Sequence, residues 1–144
     1  MKLSTGKIAF PIEFDNGDKQ NIYFNPNDPD LAIRMKDFQN KVKSRTKDLE
    51  DMDLKQDGTP KDVEAIEKFR QIQNILCEEL DIAFNGDISS VVFKHCSPFA
   101  IVNGDYFIMQ FLAAIKPEIE KQVRKANTAI EQKMQKHIGQ YVKR

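Results

Sequence analysis

The chain has 144 residues, 40% of them apolar and 31% charged, and its 22 basic and 22 acidic side chains cancel to a formal net charge of zero. That length supports one hydrophobic core and excludes a second of any size. The composition is that of a folded, well-solvated protein. The two cysteines, Cys77 and Cys96, form neither a Cys-x-x-Cys pair nor a disulfide framework, which points to a reducing compartment rather than secretion.

Residues 7–25 read as a β-hairpin. Ile8, Phe10, Ile12 and Phe14 alternate with smaller or polar residues, the period of a half-buried strand. A three-residue loop, Asp15-Asn16-Gly17 with Gly17 left-handed, would pair Phe10 with Ile22 and Ile8 with Phe24. That register is preferred over a two-residue loop because it gathers the large apolar groups on one face. Pro11 lacks a backbone donor, so its strand is an edge. A lone hairpin is marginal in water and must pack its apolar face on helices.

Asp28 fits as N-cap and Pro29 as first residue of a helix of roughly 25 residues. Its stripe is Leu31, Met35, Phe38, Val42, Leu49 and Met52. Gln56-Asp57-Gly58 breaks it. Thr59 then caps a second helix, with Pro60 at its first position and Asp62 completing a capping-box-like start. Val63, Ile66, Phe69, Ile72, Leu76, Leu80 and Ala83 form its buried stripe, and Gly86 is its C-terminal stop. The two helices read as an antiparallel pair.

Between Asp87 and Gly104 the pattern is least regular. Asp87 is placed to cap a short helical turn through Phe93, and Ser97-Pro98 and Asn103-Gly104 mark turns. Val91, Val92, Phe93, Phe99, Ile101 and Val102 make the segment apolar enough to expect it buried. Asp105 would cap a third helix through Ile115. Pro117 disfavours helical geometry at Lys116, so a break or kink is expected there, followed by a fourth helix to about Val142.

That last helix has a narrow stripe of Ile119, Val123, Ala126, Ile130, Met134, His137 and Tyr141, with Ile138 beside it. From Lys116 to Arg144 there are eight basic residues against three acids, a local balance of +5, so the preceding residues carry −5. Two readings stand for residues 117–142: an ordinary solvated helix packed on its own core, or a surface for a partner. The partner could be an acidic protein or a second copy meeting the first head to tail as a homo-oligomer. The partner-binding residues would be Val123, Ile130, Met134, Ile138 and Tyr141, flanked by Lys133 and Lys136, in a helix-in-groove mode.

Residues that carry chemistry are sparse. His95-Cys96 are adjacent and His137 lies far downstream, so no paired ligands build a tetrahedral metal site. Neighbouring His95 and Cys96 are awkwardly placed for a nucleophile and its base. No phosphate-binding glycine loop or nucleophile elbow occurs, and the acids near the turns lack the offsets of a calcium loop. Neither a catalytic residue nor a cofactor is expected, and the chain is read as a binding protein rather than an enzyme. The basic residues of the last helix lack interleaved aromatic platforms, so nucleic acid is not the expected partner. Residues 1–6 lack the apolar core of a signal peptide, and the longest apolar run, 106–115, is too short to cross a bilayer. The expected location is therefore the cytoplasm, with no membrane contact.

Several local phrases add a likeness. They are Phe24-Asn25-Pro26-Asn27-Asp28-Pro29 before the first long helix, Asp81-Ile82-Ala83-Phe84-Asn85-Gly86 ending the second, and Val92-Phe93 followed by Ser97-Pro98. To these are added the stretch from Phe107 to Ile119 and the basic ending Gln140-Tyr141-Val142-Lys143-Arg144. In these phrases and in the order of its elements, over most of its length, the chain resembles the tail assembly chaperones of long-tailed phages and prophages of Gram-positive bacteria. The resemblance implies a small, mainly helical protein that coats the tape measure protein during virion assembly, recruits tail tube subunits, and is absent from the finished particle. Such a protein would act in the host cell cytoplasm. The alternatives are another phage adaptor, such as a head–tail connector or coiled-coil scaffold, or a small nucleic-acid-binding regulator.

The expected fold is thus α+β and mainly α, one domain over 1–144: a β-hairpin (7–25) packed on a small helical bundle (28–116), with a long basic amphipathic C-terminal helix (117–142).

Overall fold

A computed structural model describes residues 1–52 and 62–142, with side chains through residue 136. The fold is α+β and mainly helical, with an N-terminal hairpin and a long C-terminal helix, as the sequence predicts. In chain order the elements are β1 (Ile8–Glu13), β2 (Lys19–Phe24), α1 (Pro29–Glu50), α2 (Val63–Phe84), α3 (Ser89–Val92), β3 (Ile101–Val102), β4 (Asp105–Tyr106) and α4 (Phe107–Val142).

The first hairpin adopts the preferred register. Ile8 pairs with Phe24 and Phe10 with Ile22, and the loop Asp15-Asn16-Gly17 is closed by Phe14 N–H donating to the Asp18 carbonyl at 2.9 Å. Gly17 has φ +88°, a conformation L side chains rarely adopt. Phe10, Ile22 and Phe24 are buried, while Ile8, at the strand's start, is exposed. The Phe10 and Phe24 rings stack at 4.2 Å, and Phe84 at the end of α2 meets Phe24 edge-on at 4.8 Å. These rings join the hairpin to the helices and remove its apolar face from water.

Helix α1 begins as the sequence indicates, with Asp28 accepting from the Asp30 N–H and Pro29 in the first turn. It runs 22 residues. Its predicted stripe is buried at Leu31, Phe38, Val42 and Leu49, with Met52 just beyond, and Met35 packs at the margin. Arg34 ties this helix to the end of α2: its Nε donates to the Ala83 carbonyl at 2.9 Å, and its guanidinium pairs with Asp28 and Asp30.

The start of α2 differs from expectation. The expected cap Thr59 and first residue Pro60 lie outside the described residues. The observed N-cap is Asp62, whose carboxylate accepts from the Ala65 N–H at 2.8 Å, and Val63 is the first helical residue. Val63 and Ile66, expected in the buried stripe, are exposed, because the buried face of α2 is centred lower, on Ile72, Leu76, Leu80, Ala83 and Phe84. At the other end the left-handed position belongs to Asn85 (φ 54°, ψ 49°) and not to Gly86. Gly86 N–H closes back on the Asp81 carbonyl, the six-to-one bond of a Schellman-type end.

Asp87 does not cap the short helix that follows. The carboxylate of Asp81, in the last turn of α2, reaches forward instead: Oδ1 accepts from the N–H groups of Ile88 and Ser89, and Oδ2 from the Ser89 hydroxyl. Asp87 accepts from Ser90 Oγ, the one hydrogen bond of its carboxylate among the described residues. A cap supplied from eight residues back satisfies the orphan donors of α3 and locks the turn between the helices. The segment expected to be buried is only partly so: Val92 and Phe99 are in the core, but Ile101 is 76% exposed. Ile101 lies on a second, very small hairpin, β3–β4, turned by Asn103 and Gly104 at φ 53° and 82°. Two consecutive positive φ values are the signature of a type I′ turn.

Asp105 sits in β4 rather than at a helix cap. The N–H groups of Phe107 and Ile108 at the start of α4 are taken by the carbonyls of Ala100 and Pro98. From there α4 runs without interruption to Val142, with Pro117 inside it, so the break or kink predicted at Lys116 does not divide it into two helices. Proline removes one intrahelical donor and costs about 3 kcal/mol. Here the helix is held on both sides of the proline, since Ile115 is buried and Ile119 packs against the core. The carbonyl left without a donor belongs to Ala113, an exposed residue that water can reach.

Candidate partner-binding surface

The root of α4 belongs to the core. Ile108, Phe111, Leu112 and Ile115 are buried, and Phe111 meets Phe84 at 6.0 Å. Burial then declines along the helix. Ile119, Val123 and Ala126 are half-buried, and every residue from Asn127 to Lys136 is exposed. Ile130 and Met134, seven and eleven residues after Val123, lie on the same face as it, yet they are 55% and 59% exposed. Lys133 and Lys136 are exposed as well. The side chains of Ile138 and Tyr141 lie outside the described residues, so the face can be followed only as far as Met134.

The second half of α4 is thus an arm. Because the helix is continuous, Ile130 stands about 22 Å farther along the axis than Ile115, the last buried one among the described residues, at 1.5 Å per residue. A continuous helix of this length carries its exposed apolar face away from the core that holds its root.

A second surface is not legible in the sequence, because its residues come from distant segments. A groove of about 1010 Å³ runs between β1, the 92–102 segment and the root of α4. Its apolar lining includes Phe10, Ile12, Phe107, Phe111 and Ile115, with Ala114 exposed along its wall. The ionisable lining is acidic, consisting of Glu13, Asp15 and Glu118 beside His95 and Cys96; among the described residues no Lys or Arg lines it. Lys19 is one strand away, opposite Glu13.

One end of the groove is held by a cluster linking the first hairpin's turn to the loop after α3. His95 Nε2 stands 2.7 Å from Asp18 Oδ2, and the His95 ring meets Phe14 edge-on at 4.8 Å. Asn16 Nδ2, which can only donate, faces His95 Nδ1 at 3.4 Å, so the imidazole proton is assigned to Nε2 and given to Asp18. Gln20 and Lys94 also reach the Asp18 carboxylate. These partners, His95 first, hold its pKa down to about 2 from an ordinary 3.8. Asp18 and His95 are 77 positions apart, and no local pattern joins them.

The cysteines do not form a reactive pair. Burial, with nearby carboxylates adding to it, raises the thiols of both Cys77 and Cys96 above their ordinary value, which favours the inert protonated form. Among the described residues no cluster of three or more His, Cys, Asp or Glu could hold a metal ion, and no helix is long and apolar enough to cross a membrane. Comparison with protein-family models, with curated proteins and with solved structures gives no match.

Proposed function

We propose that the chain is a tail assembly chaperone of a long-tailed phage or prophage, holding the helices of a tape measure protein during tail morphogenesis and recruiting tail tube subunits. The observation that carries this reading is the arm of α4, a basic amphipathic helix whose Ile130 and Met134 face water at more than half exposure. An exposed apolar row on a helix is a ready anchor for helix-in-groove or helix-on-helix association. Its basic flanks favour an acidic partner and discourage like-charged copies of the arm from pairing. The likeness of the short sequence phrases to tail assembly chaperones points to the tape measure protein as the partner; the arm supports only the mode of contact.

Co-expression with the tape measure protein encoded beside it tests the proposal. Retention of that protein by the tagged chain at low salt, lost in Ile130→Asp, is the expected result. No retention at low salt by the unaltered chain would overturn it.

A further inference from the structure

Pro11 sits where its missing donor costs the first hairpin nothing. Phe14 N–H bonds the Asp18 carbonyl, and the hydrogen-bonded pairs alternate from there: Ile12 with Gln20, Phe10 with Ile22, Ile8 with Phe24. The backbone groups of Ala9, Pro11 and Glu13 therefore point the other way, to the open edge of β1. The sheet has two strands, and among the described residues no other backbone group bonds to that edge. It keeps the N–H groups of Ala9 and Glu13 and three carbonyls.

The groove follows this edge. Phe10 and Ile12 lie on one face of β1 and Pro11 and Glu13 on the other, yet all four line it. A groove meets both faces of a strand only where it runs along the edge. Its facing wall is one side of α4, which carries Phe107, Phe111, Ala114 and Glu118 at helical spacing.

We infer that this groove takes an extended peptide of another protein, one that adds a strand to β1 and alternates apolar with basic side chains. Open backbone groups select an extended chain, because a strand presents donors and acceptors in step with them. The pleat then sorts the ligand's side chains. Every second one turns toward Phe111 and Ile115 and is apolar; the others lie beside Glu13 and are Lys or Arg. Glu13, Asp15 and Glu118 make the lining acidic, and among the described residues no Lys or Arg opposes them. From Pro11 to Asp15 the edge runs about 13 Å at 3.3 Å per residue, room for four or five ligand residues. Pro11 interrupts the row of donors, which discourages two β1 edges from pairing with each other. A peptide still finds the Glu13 N–H and the Pro11 carbonyl, and the apolar floor supplies the rest of its affinity. The inference rests on β1 and the groove, and depends on neither the α4 arm nor the tape measure protein.

The test uses a capped, fluorescein-labelled octapeptide that alternates lysine and valine, titrated into the full chain by fluorescence anisotropy. It should bind, and NMR should show slowed hydrogen exchange at the Glu13 amide. A peptide of the same composition with its lysines and valines in two blocks should bind about tenfold or more weakly, because it cannot match both faces at once. Ala114→Arg, at an exposed position on the groove wall, should weaken binding by a similar factor and leave the thermal melt unchanged. Glu13→Gln keeps the edge donor, so it should retain the amide protection while making the affinity less sensitive to salt. Equal affinity for the two peptides, or binding that leaves Glu13 exchange unaltered, would reduce the contact to charge attraction and overturn the inference. So would the absence of binding at millimolar peptide.

Discussion

His95 Nε2 lies 2.7 Å from Asp18 Oδ2, and this contact joins the turn of the first hairpin to the loop after α3 across 77 positions of sequence. It keeps the Asp18 carboxylate ionised well below the usual range, at about 2 rather than 3.8. A depressed carboxylate pKa stabilises the fold fully above the unfolded value and loses that contribution as pH falls through 3.8 toward 2, where the folded state also takes up the proton. His95→Ala removes the largest cause of the depression. A carbon-detected NMR titration should then find the Asp18 midpoint shifted up toward 3.8, and acid unfolding should become less steep over that interval. A midpoint that stays near 2 would show that Gln20 and Lys94 hold the carboxylate without the histidine.

Asp81 is the cap of α3, although it belongs to α2. Asp81→Ala leaves the Ile88 and Ser89 N–H groups without their acceptor. The expected loss is about 1–2 kcal/mol, the cost of deleting an N-cap acceptor. Asp87→Ala, at the position that local sequence favours for the cap, should cost much less, since among the described residues Asp87 accepts only from the Ser90 hydroxyl. Urea unfolding of the two variants side by side decides between the positions.

Asn85 holds the left-handed position that ends α2. Asn85→Ala should destabilise by about 1 kcal/mol, because a Cβ without the local hydrogen bonding of asparagine is disfavoured there. Asn85→Gly should be neutral or mildly stabilising. Gly86→Ala should cost less than a substitution at a left-handed residue, since its Cβ would stand 3.4 Å from the Tyr23 carbonyl oxygen, a tight but tolerable approach. Thermal melts of the three variants check the order.

Phe24 and Ile130 should behave as opposites. Phe24 is fully buried between Phe10 and Phe84, and Phe24→Ala should cost about 3–5 kcal/mol through lost burial and the cavity left behind. Ile130→Asp should leave the melting temperature within a degree or two, roughly the range of exposed substitutions, while abolishing whatever association the arm supports. A large fall in melting temperature for Ile130→Asp would show that the arm is held against the fold.

Much of the architecture is written in local sequence. The alternation of Ile8 to Phe14 and the Asp15-Asn16-Gly17 turn determine the hairpin and its register, because a slip of one residue would turn Phe10 and Phe24 toward water. Asp28-Pro29 and the stripe from Leu31 to Leu49 determine α1 in the same way. These are short-range effects: turn geometry, caps, and a period of two or 3.6.

The candidate surfaces depended on long-range packing. Periodicity marks Val123, Ile130 and Met134 as one face, but a period is the same whether a face is covered or bare. Only the path of α4 away from the core leaves Ile130 and Met134 in water. That path is possible because Ile115 and Ile119 grip the core on either side of Pro117 and offset the proline's cost. The groove and the His95–Asp18 contact are likewise products of tertiary structure, since their residues come from segments that meet only when the hairpin, the α3 loop and α4 pack together. Sequence by itself determined the first hairpin, the start and stripe of α1, and the sign of the charge on the arm. The tertiary structure decided which apolar face stays uncovered, because burial depends on what the rest of the chain can reach.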